Sequence, residues 1–165
     1  MNINEPMLAE FIAEGSLTRK MLERVPFDNA DWTPHEKSMT IQRLSSHIAE
    51  IPKWMSRILQ ADELDFETYK FERFFARDNA GLLEKFEEIK DGAVRVLQSA
   101  TDEQMLKTWI LRSGDKTFFK LPRMVMIRKF VISHIIHHRG QLSVYLRLNQ
   151  IAVPGMYGPS ADEKN

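Results

Sequence analysis

The sequence contains no cysteine and no long uninterrupted apolar run. The absence of cysteine among 165 residues excludes disulfides, a cysteine nucleophile and thiolate metal ligands, so nitrogen and oxygen atoms must hold any bound metal. No apolar stretch reaches the roughly 18 residues that span a bilayer, and residues 1–10 lack a basic segment followed by an apolar run. We therefore expect a cytoplasmic protein that does not engage a membrane.

The sequence has no net charge, because 23 basic residues balance 23 acidic residues, but the two signs are unevenly distributed. Residues 62–91 contain ten acids and five bases, whereas residues 116–161 contain seven bases and no acid. The basic segment is either a dispersed solvated face or a region that favours a small anionic substrate. Its bases are spaced among apolar residues and the pI is near 7.0, so we do not expect nucleic-acid binding.

Apolar residues recur at helical spacing in four segments, which predicts an all-α protein. The predicted fold is an up-down four-helix bundle with an irregular C-terminal tail, in a single domain over residues 1–165. An aromatic, acidic connector at 60–78 and a small hairpin at 109–119 are the expected interruptions. The predicted helices run from Asn4 to before Pro26, from Thr40 through a kink at Pro52, over 79–100, and from Pro122 to about 148.

Three of the five histidines lie close together in the predicted fourth helix. At 3.6 residues per turn, His134 and His138 are about 40° apart around the axis, so both rings project to the same side. His137 is about 60° from His134 in the other direction, so the pair His134/His137 also shares a face. The first pair is assigned to the interior and His137 to a dimer interface, although periodicity also permits the opposite assignment.

A further ligand is available from the second helix, where His47 lies in an apolar stripe between Leu44 and Ile51. A lone core histidine is commonly a hydrogen-bonded packing residue. Neighbouring buried imidazoles, however, cost about 1–3 kcal/mol for each unsatisfied group, and one ion would satisfy several rings. His47 with two histidines of the fourth helix therefore predicts a three-histidine metal site.

The sequence around these histidines resembles the DinB family of metalloenzymes. The most specific part is His134-x-x-x-His138-Arg139-Gly140-Gln141. Further similarity lies at 145–147, at 153–162, and upstream at 32–39 and 44–52, so that the resemblance covers most of the chain from residue 32 to residue 163.

This resemblance implies a dimeric four-helix bundle that binds a divalent metal through His47, His134 and His138. It thereby selects His138 over His137, because the histidine directly before Arg-Gly-Gln is the family's ligand. Relatives include S-transferases and isomerases that use a low-molecular-weight thiol, which would have to come from outside a chain without cysteine. Zinc or nickel is the expected metal, with iron or manganese as further candidates.

The expected function is a metal-dependent hydrolase or thiol S-transferase that acts as a homodimer on a small molecule. The alternative is a non-catalytic, stress- or damage-inducible module that binds metal or dimerises. Glu50, one turn after His47, is either a base or second-sphere partner or an ordinary surface residue. Arg128 and Arg139 either neutralise an anionic substrate or pair with acids of the third helix. The acids of the tail, Asp162 and Glu163, would be able to fold back over the site.

Overall fold

The computed structural model describes residues 2–163, which form seven α-helices and three β-strands. The helices are α1 (Asn4–Leu22), α2 (Ile41–Glu50), α3 (Lys53–Gln60), α4 (Asn79–Gln98), α5 (Asp102–Leu106), α6 (Arg123–Ile127) and α7 (Ser133–Leu148). The strands are β1 (Glu63–Asp65), β2 (Thr108–Ser113) and β3 (Lys116–Pro122). A short 3₁₀ turn covers Phe27–Asn29, and a π-helical turn covers Arg128–Ile132.

Local sequence signals explain where several helices begin and break. The hydroxyl of Thr40 accepts a hydrogen bond from the Arg43 amide and caps α2. Pro52 has no N–H to continue the helical ladder, so the predicted second helix divides into α2 and α3 at this point. The predicted fourth helix is one helical stretch in which the π-helical turn joins α6 to α7.

The prediction of an all-α four-helix bundle is wrong, because the described residues include a three-stranded mixed sheet in the order β1-β2-β3. The predicted hairpin is present as β2 and β3, which pair antiparallel through a turn where Gly114 has a φ of 54°. The connector adds β1, which pairs parallel to β2 with Glu63 opposite Ile110. Trp109 and Leu111 alternate with more exposed neighbours along β2 and are buried in the core.

Helices α1 and α2 both pack against α4 and α7, while α3 packs against α4 and α6. The buried apolar residues form two clusters, and the long helices contribute to both. Ile48 of α2 belongs to one cluster, and Ile51, directly after that helix, belongs to the other. On α7, Leu142 and Ile135 divide in the same way. The histidines of these helices therefore lie at the boundary between the two apolar clusters. Within residues 2–163, no helix is long and apolar enough to cross a membrane.

Candidate metal centre

The fold brings together three of the histidines that the sequence singled out. His47 comes from α2, and His134 and His138 come from successive turns of α7. The ring centroids are 4.7 Å apart for His47–His138 and for His134–His138, and 5.1 Å apart for His47–His134. One ring nitrogen from each histidine lies within 4.8 Å of the other two, so the rings converge on a common point.

The spacing of the nitrogens is compatible with a divalent metal ion. Nε2 of His47 and Nε2 of His134 are 3.3 Å apart. Two nitrogens bonded to one tetrahedral zinc ion at about 2.0–2.1 Å would be separated by about 3.3 Å. The donor set is all nitrogen and includes three neutral ligands, which suits borderline metals such as zinc and nickel. The chemistry and the convergence of these donor atoms therefore fit a divalent metal ion.

The electrostatic environment keeps the three rings uncharged at neutral pH. Burial, reinforced by the neighbouring histidines and by Arg43, lowers the pKa of His47 to about 3. Burial also lowers the pKa of His134 to about 4, against an opposing effect of the Phe130 carbonyl. The pKa of His138 is lowered by burial as well. Neutral imidazole is the form that donates a lone pair to a metal.

Gln141 orients the third ring of the cluster. Its Oε1 lies 2.6 Å from Nδ1 of His138, one turn earlier on α7. If Nδ1–H donates this hydrogen bond, the tautomer leaves the lone pair of Nε2 free. Gln141 had no predicted role, although its position three residues after His138 indicates that it is able to reach this ring.

The other two histidines lie outside the cluster. His137 is exposed on α7, and its ring packs against the outer side of His138 with centroids 4.8 Å apart. His35 is exposed in the loop before α2, where its Nδ1 accepts a hydrogen bond from the Lys37 amide. The structure therefore places His137 outside the cluster formed by His47, His134 and His138.

A cavity of about 520 Å³ opens beside the histidine cluster, and both His47 and His134 line it. This volume lies in the usual range for small-molecule sites. Its wall combines apolar and aromatic side chains with charged groups, which are supplied by α2, α3 and the segment after β1. No local sequence pattern indicates this cavity, because its wall combines residues 39–57 with residues 71–73 and His134.

Glu50 closes one wall of the cavity and is not hydrogen bonded to the histidines. One carboxylate oxygen accepts from the Phe74 amide at 2.8 Å, and the other lies 3.3 Å from the Arg43 guanidinium. Lys53 lies 3.5 Å from the same carboxylate. Glu50 therefore joins the 71–76 segment to α2, and its carboxylate is occupied by cations and a backbone amide.

Arg128 and Arg139 form ion pairs, but with acids of α1 and not with acids of the third predicted helix. Arg139 is buried and lies 2.6 Å from Glu14, which is also buried. Arg128 forms an exposed ion pair with Glu10. The partner of Arg139 belongs to α1 because α7, which carries Arg139, packs directly against that helix. Neither arginine lines the cavity beside the histidines.

The acids of the C-terminal tail brace the tail itself. Asp162 accepts hydrogen bonds from Arg147 at 2.6 and 2.9 Å and from the Val153 amide. Glu163 accepts from the Gly155 and Ser160 amides. Their carboxylates are thus committed to local contacts, and neither residue lines the cavity.

Two curated proteins of Bacillus subtilis (strain 168) are similar to this chain over most of their length. YrdA, described as an uncharacterized protein, is 24% identical over 154 residues, which cover 91% of this chain and 85% of YrdA. YjoA, described in the same way, is 23% identical over 141 residues, which cover 86% of this chain and 87% of YjoA.

Solved structures of similar fold lead to the same group of proteins. A DinB-like protein from Bacillus cereus ATCC 10987 superposes with a TM-score of 0.70 and 21% identity, over 94% of this chain and 98% of the other. The DinB-like protein YjoA from Bacillus subtilis superposes with a TM-score of 0.73 and 19% identity, over 94% and 100%. The model of the DinB family matches residues 1–165. The chain therefore belongs to the DinB family.

Proposed function

We propose that this protein binds one divalent metal ion through His47, His134 and His138 and is a metal-dependent enzyme. The observation that supports the proposal is the convergence of three neutral imidazoles from two helices on one point, with two Nε2 atoms 3.3 Å apart. Zinc or nickel fits this donor set best. Three histidine ligands are sufficient to hold such an ion.

Three protein ligands leave at least one coordination position open, which is typical of catalytic sites and not of closed structural sites. A bound divalent ion would supply Lewis-acid activation of a water or thiol nucleophile at neutral pH. The protein's own part is to hold three neutral rings, to fix the His138 tautomer through Gln141, and to present a cavity to the substrate. We therefore propose hydrolysis or S-transfer, with the thiol supplied by a separate small molecule.

Substitution with cobalt(II) tests whether a nucleophile reaches the ion. The absorption spectrum of the cobalt protein should change when N-acetylcysteine is added, through a sulfur-to-metal charge-transfer band. N-acetylserine, which has the same shape and charge but no thiol, is the matched control. His47→Ala should bind little cobalt and show no such band. If cobalt binds but neither azide nor N-acetylcysteine changes the spectrum, the ion has no open position and the proposal of an enzyme fails.

A further inference from the structure

Arg57, on α3, is held in the cavity wall by three aromatic rings. The carbon at the centre of its guanidinium group lies 4.9 Å from the ring centroid of Tyr69, 5.1 Å from that of Trp54 and 5.3 Å from that of Phe71. Its Nε donates a hydrogen bond to the Tyr69 hydroxyl at 2.8 Å. Stacking and this bond fix the plane of the guanidinium group before any ligand arrives.

The charge of Arg57 is not matched by a carboxylate within residues 2–163. The cavity's Arg43 and Lys53 both approach Glu50, at 3.3 and 3.5 Å. Arg57, by contrast, forms no ion pair in the described part of the chain, and its single side-chain hydrogen bond uses Nε. Its terminal N–H groups therefore remain available as donors at a half-buried position.

The cavity as a whole carries an excess of positive charge. Its lining includes four bases and two acids. The difference of two positive charges, in a partly enclosed space, favours an anionic occupant. The charged residues are Arg43, Lys53, Arg57, Arg73, Glu50 and Glu72.

We propose that this cavity selects organic carboxylates with an apolar body and that Arg57 holds the carboxylate. The planar guanidinium fork matches the two oxygens of a carboxylate. Ile51, Trp54 and Phe71 line the same cavity and provide apolar contact for the rest of the molecule. The end of the ligand opposite the carboxylate would face His47 and His134, which also line the cavity. That this end reacts there rests on the proposed function.

Calorimetric titration of the zinc-loaded protein with 3-phenylpropanoate and with 3-phenylpropanamide tests the proposal. The two probes share their shape and their apolar body, but only the first is charged. Wild type should bind the carboxylate about 10- to 100-fold more tightly than the amide, as expected for hydrogen bonds between charged groups. Arg57→Gln should remove this preference, and Arg57→Lys should retain only part of it, because lysine keeps the charge but lacks the fork.

Arg24→Gln is the matched control, since Arg24 is exposed and lies outside the cavity lining. The Arg24→Gln and Arg57→Gln variants have the same net charge. It should retain the preference of the wild type. If Arg57 only stacks on its neighbours, Arg57→Gln and Arg57→Lys will keep the wild-type preference for the carboxylate. That result would overturn the proposal. Equal binding of the two probes to wild type would also overturn it.

Zinc content, measured on the same samples, separates this proposal from the proposed function. Zinc bound by both wild type and Arg57→Gln, together with either no preference for the carboxylate in wild type or an unchanged preference in Arg57→Gln, would contradict the role of Arg57 alone. A clear preference for the carboxylate in a protein that binds no zinc would contradict the metal-dependent function and leave the carboxylate site in place.

Discussion

Nε2 of His47 and Nε2 of His134 face each other at 3.3 Å across the contact between α2 and α7. Both rings are held neutral by burial, so they do not repel each other as two imidazolium groups would. The two histidines are 87 positions apart in sequence. Protonation of either ring should therefore weaken both the packing of the two helices and metal binding.

Acid should destabilise the metal-free protein through these rings. An unfolded histidine takes up a proton near pH 6.5, whereas His47 and His134 do so only at about pH 3 and pH 4 in the folded protein. The unfolded state thus binds protons first, and the free energy of unfolding falls as the pH decreases from about 6.5 toward 3. Urea unfolding between pH 7 and pH 4 should show a smaller loss in His47→Gln than in wild type. His35→Gln, which alters an exposed histidine, should behave as wild type; equal losses in all three proteins would refute this cause.

Loss of Gln141 should weaken metal binding without removing a ligand. The Gln141→Ala variant lacks the acceptor 2.6 Å from Nδ1 of His138, so the ring loses its fixed orientation and tautomer. Zinc affinity should fall by about 10- to 100-fold, as for other residues that position a metal-bound histidine. Competition with a chromophoric chelator measures this change. Gln60→Ala, at an exposed position, is the control, and an unchanged affinity in Gln141→Ala would show that the contact does not orient His138.

The buried ion pair between Arg139 and Glu14 should be important for stability. The Arg139→Ala variant leaves the Glu14 carboxylate buried with only the Tyr157 hydroxyl as a side-chain partner. We expect a loss of about 3–5 kcal/mol in the free energy of unfolding, measured with urea. Arg128→Ala removes the exposed pair between the π-helical turn and Glu10 of α1 and should cost less than about 1 kcal/mol. Similar losses in the two variants would contradict the distinction between buried and exposed pairs.

The outer face of α7 tests the predicted homodimer. Val144 and Leu148 are each 56% exposed, and the exposed Gly140 and His137 lie on the same side of the helix. If this face joins two copies of the chain, Val144→Glu should shift the protein to monomers in sedimentation velocity experiments. Leu106→Glu changes an equally exposed apolar residue on α5 and should leave the dimer intact. A monomeric wild type, or a dimer that survives Val144→Glu, would count against this interface.

Helical periodicity indicated which histidines share a face and are therefore able to converge. It predicted inward positions for His47, His134 and His138, but it allowed His137 equally well. The difference between His137 and His138 depends on what packs against α7, and this information lies elsewhere in the chain. For the same reason Arg139 was assigned a partner on the wrong helix.

The sheet shows where sequence patterns stop being informative. The hairpin of β2 and β3 has a local signal, since a Gly-containing turn separates two runs rich in apolar residues, and its prediction is confirmed. Strand β1 has three residues, which is too short for a period of two to be recognised. It becomes a strand because Glu63 meets Ile110, a contact between residues 47 positions apart. The π-helical turn at Arg128–Ile132 likewise has no short sequence signature.

The zinc content of purified protein, compared across five single histidine variants, tests the three-histidine site most directly. Wild type, His35→Ala and His137→Ala should each contain one zinc ion per chain, while His47→Ala, His134→Ala and His138→Ala should contain almost none. Circular dichroism of each sample establishes that the variants are folded. Zinc retained in folded His47→Ala and His138→Ala, or lost from His137→Ala as completely as from His138→Ala, would contradict the proposed site.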